Sequence, residues 1–458
     1  MIPRIPSARL QYEPFKDNDI KNAYNWIRSF MSDKEWLERK EKIEKDISIP
    51  FLNHPSFVDI RTGTLIAIQK DQIGWYLYLI YTLINEPYRY DYFQGARIVP
   101  IFKRIGMNLE LVKSIGGINK KIRDLLSKRA SEADAILFEV LTALLWVRNG
   151  WDVKILEEGK GNKTPDFQMT KDGEIWQVEC KRQKKTATYA YAETAKRQIM
   201  ISHISKLLVQ HNILLDINFH VELVSLPDTY LKNLIEDLIP KVHNSGKLMS
   251  NNEVDIDVSF VDIKAIQKYL ENNYLKNNSP HLIELIANKP VDNLGFTSGI
   301  KGNFYYLGEG EANNVYISEV FNAYGVQCYC DAETAIKAKA RDVKNQINDA
   351  IAQFSSNTKG VIHIGMETLD GPEVERERAE KIISTLKQID TQDSNLRWVY
   401  FHFFQSYTRS DEDWIIDETV DSVTAYVNPI PLIQKTFLII PEDSDTIEQE
   451  SHWNRPLP

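Results

Sequence analysis

The chain has 458 residues, 43% of them hydrophobic and 26% charged, with a formal net charge of −9; this is an ordinary globular composition in a chain too long for one small domain. The acidic balance argues against a protein that coats nucleic acid non-specifically, but it allows local basic surfaces. The longest apolar run, Ile73 to Ile84, is far short of a bilayer span, the first residues lack a signal-peptide core, and three cysteines cannot build a disulfide framework. A cytoplasmic protein without membrane contact is therefore the expectation.

Residues 1–125 read as a mainly helical N-terminal module, with helices at Asp19 to Phe30, Ser32 to Asp46, Ile73 to Ile84 and Leu109 to Arg129. Tyr88, Tyr90, Tyr92 and Phe93, with Arg89 and Arg97, read as a loop whose aromatics either stack on bases or plug a core. From Ser131 to Asn149 the pattern predicts a strong, largely buried helix, with acids in its first turn and Asn149-Gly150 as its stop. Glu139 stands among apolar residues of that helix, and a charge there is costly unless a cation meets it. Either it reaches solvent at the helix edge, or it pairs with Arg148 or a lysine distant in sequence, or it meets a bound metal.

A strand at Val153 to Leu156 leads to Thr164-Pro165-Asp166-Phe167, which opens a second strand, Phe167 to Met169. Lys171-Asp172-Gly173 makes a turn, and Glu174 to Lys181 returns with Glu179 and Lys181 on one face and Val178 and Cys180 on the other. Such a hairpin gathers two carboxylates, hard oxygen ligands suited to Mg²⁺, beside an ammonium that can orient or deprotonate a water. The chain contains a decoy, Pro227-Asp228 followed by Asp262-Ile263-Lys264, but a long polar stretch between its halves prevents a short hairpin. Beyond the strand, Lys181, Arg182, Lys184 and Lys185 cluster at the mouth of the candidate site.

Further on, a helix at Tyr189 to Gln210 carries Arg197, and a strand follows at Ile217 to Ser225. Residues 227–330 read as an insertion or middle subdomain, with a helix at Asp228 to Val242 and turns and hairpins in Gly295 to Gly310. After Asp331 an apolar stripe (Ile336, Ala340, Val343, Ile347, Ile351, Phe354) predicts one helix flanked by the basic residues Lys337, Arg341 and Lys344. The strand Gly360 to Gly365, a charged helix to Lys387 and the strand Arg397 to Phe404 complete residues 331–440, and 441–458 reads as a polar tail. Glu158 to Thr164 lacks the spacing of a phosphate-binding loop, no Gly-x-Ser-x-Gly elbow occurs, and Cys328-x-Cys330 lacks a second metal-binding pair. His363 and His402, inside apolar strands, are expected to be packed.

Helix acid Glu139, then Pro165-Asp166, then Glu179-Cys180-Lys181: this order resembles the PD-(D/E)xK nuclease superfamily over about residues 131–185. The resemblance implies an α/β (α+β) protein with a restriction-endonuclease-like mixed sheet core flanked by helices, starting within residues 126–226. It implies Mg²⁺, or Mn²⁺ in its place, held by Asp166, Glu179 and the main-chain oxygen of Cys180, with Glu139 as supporting acid of the metal site and Lys181 as base or charge stabiliser. The implied activity is that of an endonuclease, which hydrolyses nucleic-acid phosphodiester bonds. DNA is favoured over RNA, in a prokaryotic restriction or phage-defence role. The alternatives are an RNA nuclease with the same core and a catalytically idle binding module. Arg182, Lys184, Lys185 and Arg197, or Lys337, Arg341 and Lys344, would line the nucleic-acid path. The segments 189–225 and 331–365 compete to complete the core sheet, and both are expected to join it. A homodimer, or a partner protein bound through the N-terminal module, stays open.

Overall fold

The computed structural model describes residues 17–48, 69–157, 164–183, 188–291, 295–309, 313–340, 343–355, 357–388, 395–410, 415–426, 430–441 and 450–454. The N-terminal part contains α1 (Asn18–Arg28), α2 (Asp33–Ser48), α3 (Gln72–Asn85), α4 (Tyr92–Met107), α5 (Leu109–Ser114) and α6 (Ile118–Leu126). Two readings of this region are corrected. Asp91 caps α4 by accepting from the Gln94 N–H at 3.0 Å, so the tract expected to be a loop becomes helical from Tyr92, and Arg97 lies within that helix. The single helix expected over Leu109 to Arg129 is broken by Gly116-Gly117, where Gly117 has φ +86°.

α7 (Ala133–Arg148) ends where Asn149 donates back to the Leu145 carbonyl and Gly150 turns left-handed at φ +80°. β1 (Asp152–Ile155), β2 (Phe167–Lys171) and β3 (Glu174–Arg182) follow as antiparallel neighbours. Asp172 and Gly173 both have positive φ, 52° and 81°, which a two-residue hairpin loop of this twist demands and which Asp-Gly tolerates well.

α8 (Thr188–His211) then carries the chain into a second sheet: β4 (Ile213–Phe219), α9 (Tyr230–Ile235), β5 (Gly246–Ser250), β6 (Val254–Phe260), α10 (Ile263–Leu270), β7 (Leu275–Lys276), α11 (Pro280–Ala287), β8 (Phe296–Tyr306) and β9 (Val315–Cys330). Its order is β5-β6-β4-β9-β7, with β8 also paired to β9. The chain returns through α12 (Glu333–Lys339) and α13 (Lys344–Ile351) to β10 (Lys359–Glu367), α14 (Pro372–Gln388), β11 (Leu396–Tyr407) and β12 (Ile415–Thr424). The first sheet runs β1-β2-β3-β10-β11-β12, with β3, β10 and β11 parallel. The fold is thus mixed α+β, with two mixed sheets.

The expectation that both competing segments join one sheet is overturned. β10 pairs with β3, whereas β4 pairs with β6 and β9. The buried side of β4 (Ile213, Leu215, Ile217, Phe219) packs with α8 and β6 in a core of its own. Nor is the N-terminal part a separate module. Its buried residues, among them Ile27, Tyr78 and Phe102, share one apolar core with α7, with Trp176 and Val178 of β3, and with Tyr400 of β11. The opposite face of the first sheet (Ile362, Ile364, Val399, Phe401) packs on Val343 and Ile347. The single helix expected through 336–354 is instead two, because α12 ends at Lys339 and α13 starts at Lys344.

Behind β3 a fully buried polar chain crosses the first sheet. The Trp146 indole N–H donates to His363 Nε2 at 3.1 Å, and His363 Nδ1 lies 2.9 Å from His402 Nε2. His402 Nδ1 in turn faces Glu418 Oε1 at 3.4 Å. Because indole only donates, the order is set: His363 carries its proton on Nδ1, and His402 carries its own on the nitrogen facing Glu418. Burial, and then His402, hold the His363 pKa well below its ordinary value. The unfolded chain therefore takes up a proton near pH 6.5 that the folded chain refuses, so stability is lost as pH falls below that point. Denaturant unfolding should show a loss approaching ~1.4 kcal/mol per pH unit from this residue, and the slope should flatten in His363→Gln. An identical slope in the variant would remove His363 from the account.

Candidate active site

The β2–β3 ladder pairs Phe167 with Val178. Asp166 therefore sits one step past its end, beside Glu179, after a proline that favours extended backbone. Asp166 Oδ2 accepts the Cys180 N–H at 2.7 Å, and its carbonyl accepts the Leu156 N–H at 3.0 Å, which ties it to the end of β1. In the parallel register of β3 and β10, Glu179 lies beside Ile362 and Lys181 beside Ile364, on the α13 side of the sheet. Cys180 lies beside His363 on the α7 side; burial raises its thiol pKa well above the ordinary value, so the thiol stays protonated.

Glu179 is 3% exposed. Its Oε1 accepts from Lys181 Nζ at 2.5 Å and from Gln353 Nε2 at 2.5 Å, while Oε2 is buried with no hydrogen-bond partner among the described residues. Two donors thus pin one oxygen and leave the other bare. Gln353, just beyond α13, was invisible to sequence reading because its partner lies 174 positions away. Burial, and then the repulsion of Glu179, raise the Asp166 pKa, while the Cys180 N–H pulls it down. Burial also raises that of Glu179, offset by the Lys181 hydrogen bond. Two crowded, desolvated carboxylates resist carrying charge together, and a cation would relieve them.

Glu139 is 8% exposed, and it does meet a cation: Lys121 of α6 forms an ion pair with its Oε2. Burial, and then Asp166, push Glu139 up to about 7 against the pull of Lys121. The structure therefore brings Glu139 within electrostatic reach of Asp166, with a lysine attached. The distant-lysine alternative describes this pairing better than Arg148, whose guanidinium donates to the Phe437 carbonyl at 3.0 Å.

Those of the expected basic residues that the structure describes are dispersed. Arg182 pairs with Glu367 at 2.7 Å on the α7 side, where Arg97 also meets Glu367 at 2.5 Å and Tyr76 donates to Asp134 at 2.5 Å. These pairs close a small cleft also lined by Phe138 and Phe404, and the arginine that was to contact phosphate is instead a clamp between elements. Arg197 lies against the second sheet, with one guanidinium nitrogen 3.3 Å from where a Cβ on Gly295 would stand. Lys337 is half exposed and paired with Glu333 four residues before it, which is a solvated helix face, and Lys344 is exposed at the start of α13. Lys184, Lys185 and Arg341 lie outside the described residues. The tyrosine tract is a seam between the two sheets' domains: Lys276 Nζ donates to the Tyr90 carbonyl at 2.6 Å and Tyr316 Oη to the Tyr88 carbonyl at 3.1 Å.

Among the described residues no group of three or more His, Cys, Asp or Glu side chains is disposed to hold a metal ion. The donor set that fits a hard divalent cation is smaller: Asp166, the bare Oε2 of Glu179, and the Cys180 main-chain oxygen between them. Mg²⁺ commonly takes one or two carboxylates and fills its remaining positions with water and phosphate oxygens. Comparison with family models, with curated proteins and with solved structures found no match for this chain. Among the described residues no helix is long and apolar enough to cross a membrane.

Proposed function

We propose that the chain is a Mg²⁺-dependent phosphodiesterase that hydrolyses nucleic acid, with DNA as the favoured substrate. The observation that carries this reading is the bare, buried Oε2 of Glu179 beside Asp166, with Lys181 on the neighbouring oxygen. A bound divalent ion would polarise the scissile phosphate and neutralise developing charge. Asp166 and Glu179 would hold that ion, and Gln353 keeps Glu179 turned so that Oε2 is the oxygen offered. Lys181 Nζ, held on Glu179 Oε1, can hold the attacking water or take its proton. Glu139, tethered by Lys121, supports Asp166 from the helix side.

The endonuclease and defence parts of the reading rest on the motif resemblance and on a core with large helical additions and no ATPase motif. A catalytically idle binding module would have little use for two desolvated carboxylates that repel each other. Incubating the purified chain with supercoiled plasmid, linear duplex and RNA, with Mg²⁺ or EDTA, tests the reading. Metal-dependent nicking of the plasmid is the expected result, and RNA cleavage alone would shift the substrate. No cleavage of any substrate with Mg²⁺ or Mn²⁺ would overturn it.

A further inference from the structure

Among the described residues, Arg182 and Arg197 form no shared basic surface, but the chain carries a basic segment elsewhere. From Leu109 to Arg129 there are six cations (Lys113, Lys120, Lys121, Arg123, Lys128, Arg129) against two acids, Glu110 and Asp124. The second-sheet region, Ile213 to Cys330, holds eight cations against fifteen acids and would repel a polyanion. The basic segment is also joined to the candidate site. Gly116 donates to the Val153 carbonyl at 2.9 Å and accepts from Ile155 at 2.8 Å, which fastens the start of α6 to β1. On α6, Lys121 turns inward to Glu139, while its neighbour Lys120 points outward and pairs with Glu157 at 2.5 Å, near the strand end that holds Asp166.

We infer that the outer surface of α5, α6 and the turn after α6 is the track on which the phosphate backbone of the nucleic-acid substrate lies as it enters the site. This inference rests on the phosphodiesterase reading and names where its substrate docks. Lys113, Lys120 and Lys128 have side chains 42%, 57% and 79% exposed, and their partners Glu110, Glu157 and Asp124 are surface acids. Such pairs contribute ~0–1 kcal/mol each, so exchanging the acid for a phosphate oxygen costs little. The plain alternative, a solvated helix face, explains the exposure. It does not explain why the cations continue inward, through Lys121, to the catalytic acids.

The test is binding of labelled duplex DNA and of a matched RNA duplex in EDTA across a salt series, by fluorescence anisotropy, with cleavage in Mg²⁺ measured separately. Changing Lys113, Lys120 and Lys128 together to Gln should lower affinity at least tenfold at about 0.1 M salt. It should also make the log–log salt slope shallower by roughly two to three, since each lost contact retains about one counterion. The same charge change at Lys241, Lys264 and Lys268, exposed on the second-sheet region, should leave the slope as it was. If the parent cleaves nucleic acid but the first variant binds with an unchanged slope, the surface assignment falls and the phosphodiesterase reading stands. If the parent neither binds nor cleaves, both fall. The arm that binds tighter identifies the sugar.

Discussion

Glu179→Gln and Asp166→Asn should each remove cleavage by on the order of 10³-fold or more, because each deletes a charged oxygen that would hold the ion polarising the phosphate. Neither should cost stability. Gln at 179 keeps an oxygen to accept from Lys181 and Gln353, and Asn at 166 keeps an acceptor for the Cys180 N–H. Both carboxyl groups are burdened by burial, and Asp166 by its neighbour as well, so neutralising one should hold the melting temperature level or raise it in EDTA. Mg²⁺ should then raise the melting temperature of the parent, by an amount equivalent to ~2.7 kcal/mol at a hundred times the dissociation constant, and raise that of each variant much less. Equal metal-induced shifts in all three proteins would place the ion elsewhere.

Lys181→Ala should fold normally and bind Mg²⁺ as well as the parent or better, because the ammonium competes for Glu179 through its 2.5 Å contact. Its cleavage rate should nevertheless fall by roughly 10²–10⁴-fold, the usual contribution of a positioned proton-transfer group. The loss should appear in kcat with little change in KM, since a group used only in the transition state adds nothing to substrate binding. Lys181→Arg should stay slow if proton removal is the role, because a guanidinium keeps its proton, and should recover if charge alone suffices. An Ala variant as fast as the parent would end the assignment.

What was legible in the sequence is what short-range pattern encodes. The Asp-Gly turn, the alternation from Trp176 to Lys181 and the apolar run of α7 predict the hairpin and the helix behind it, and the structure has them at nearly those bounds. Contacts made by residues far apart were not legible. Nothing near Glu139 in the sequence points to Lys121, and nothing near Glu179 points to Gln353, since long flexible side chains choose partners by tertiary placement. The strand now called β4 was found in outline, near Ile217, but its sheet was not, because apolar alternation reports a buried face without saying against which strand it lies. The stripe with Lys337 is one candidate wall of the site and equally a pattern that amphipathic surface helices produce, and its Glu333 partner places Lys337 in water. The break between α12 and α13 escaped the periodicity because the apolar spacing persists through it: Ala340, Val343 and Ile347 are all buried.

The interruption of the first sheet has a consequence for how this chain is made. Lys359 of β10 finds Glu174 of β3 across 185 positions, with the whole second sheet translated in between. At about 5–20 residues per second, β3 waits for its parallel neighbour for roughly ten to forty seconds after leaving the ribosome. During that time its edge, flanked by Trp176 and Val178, is an open template for pairing with another nascent chain. A second-sheet region that folds early shortens the effective loop that β10 must close, and so turns a slow, long-range pairing into a local docking step. Mutations that slow this inserted region should therefore show up first as aggregation during synthesis, at sites distant from the acids of the candidate site and in protein whose final fold is unaltered.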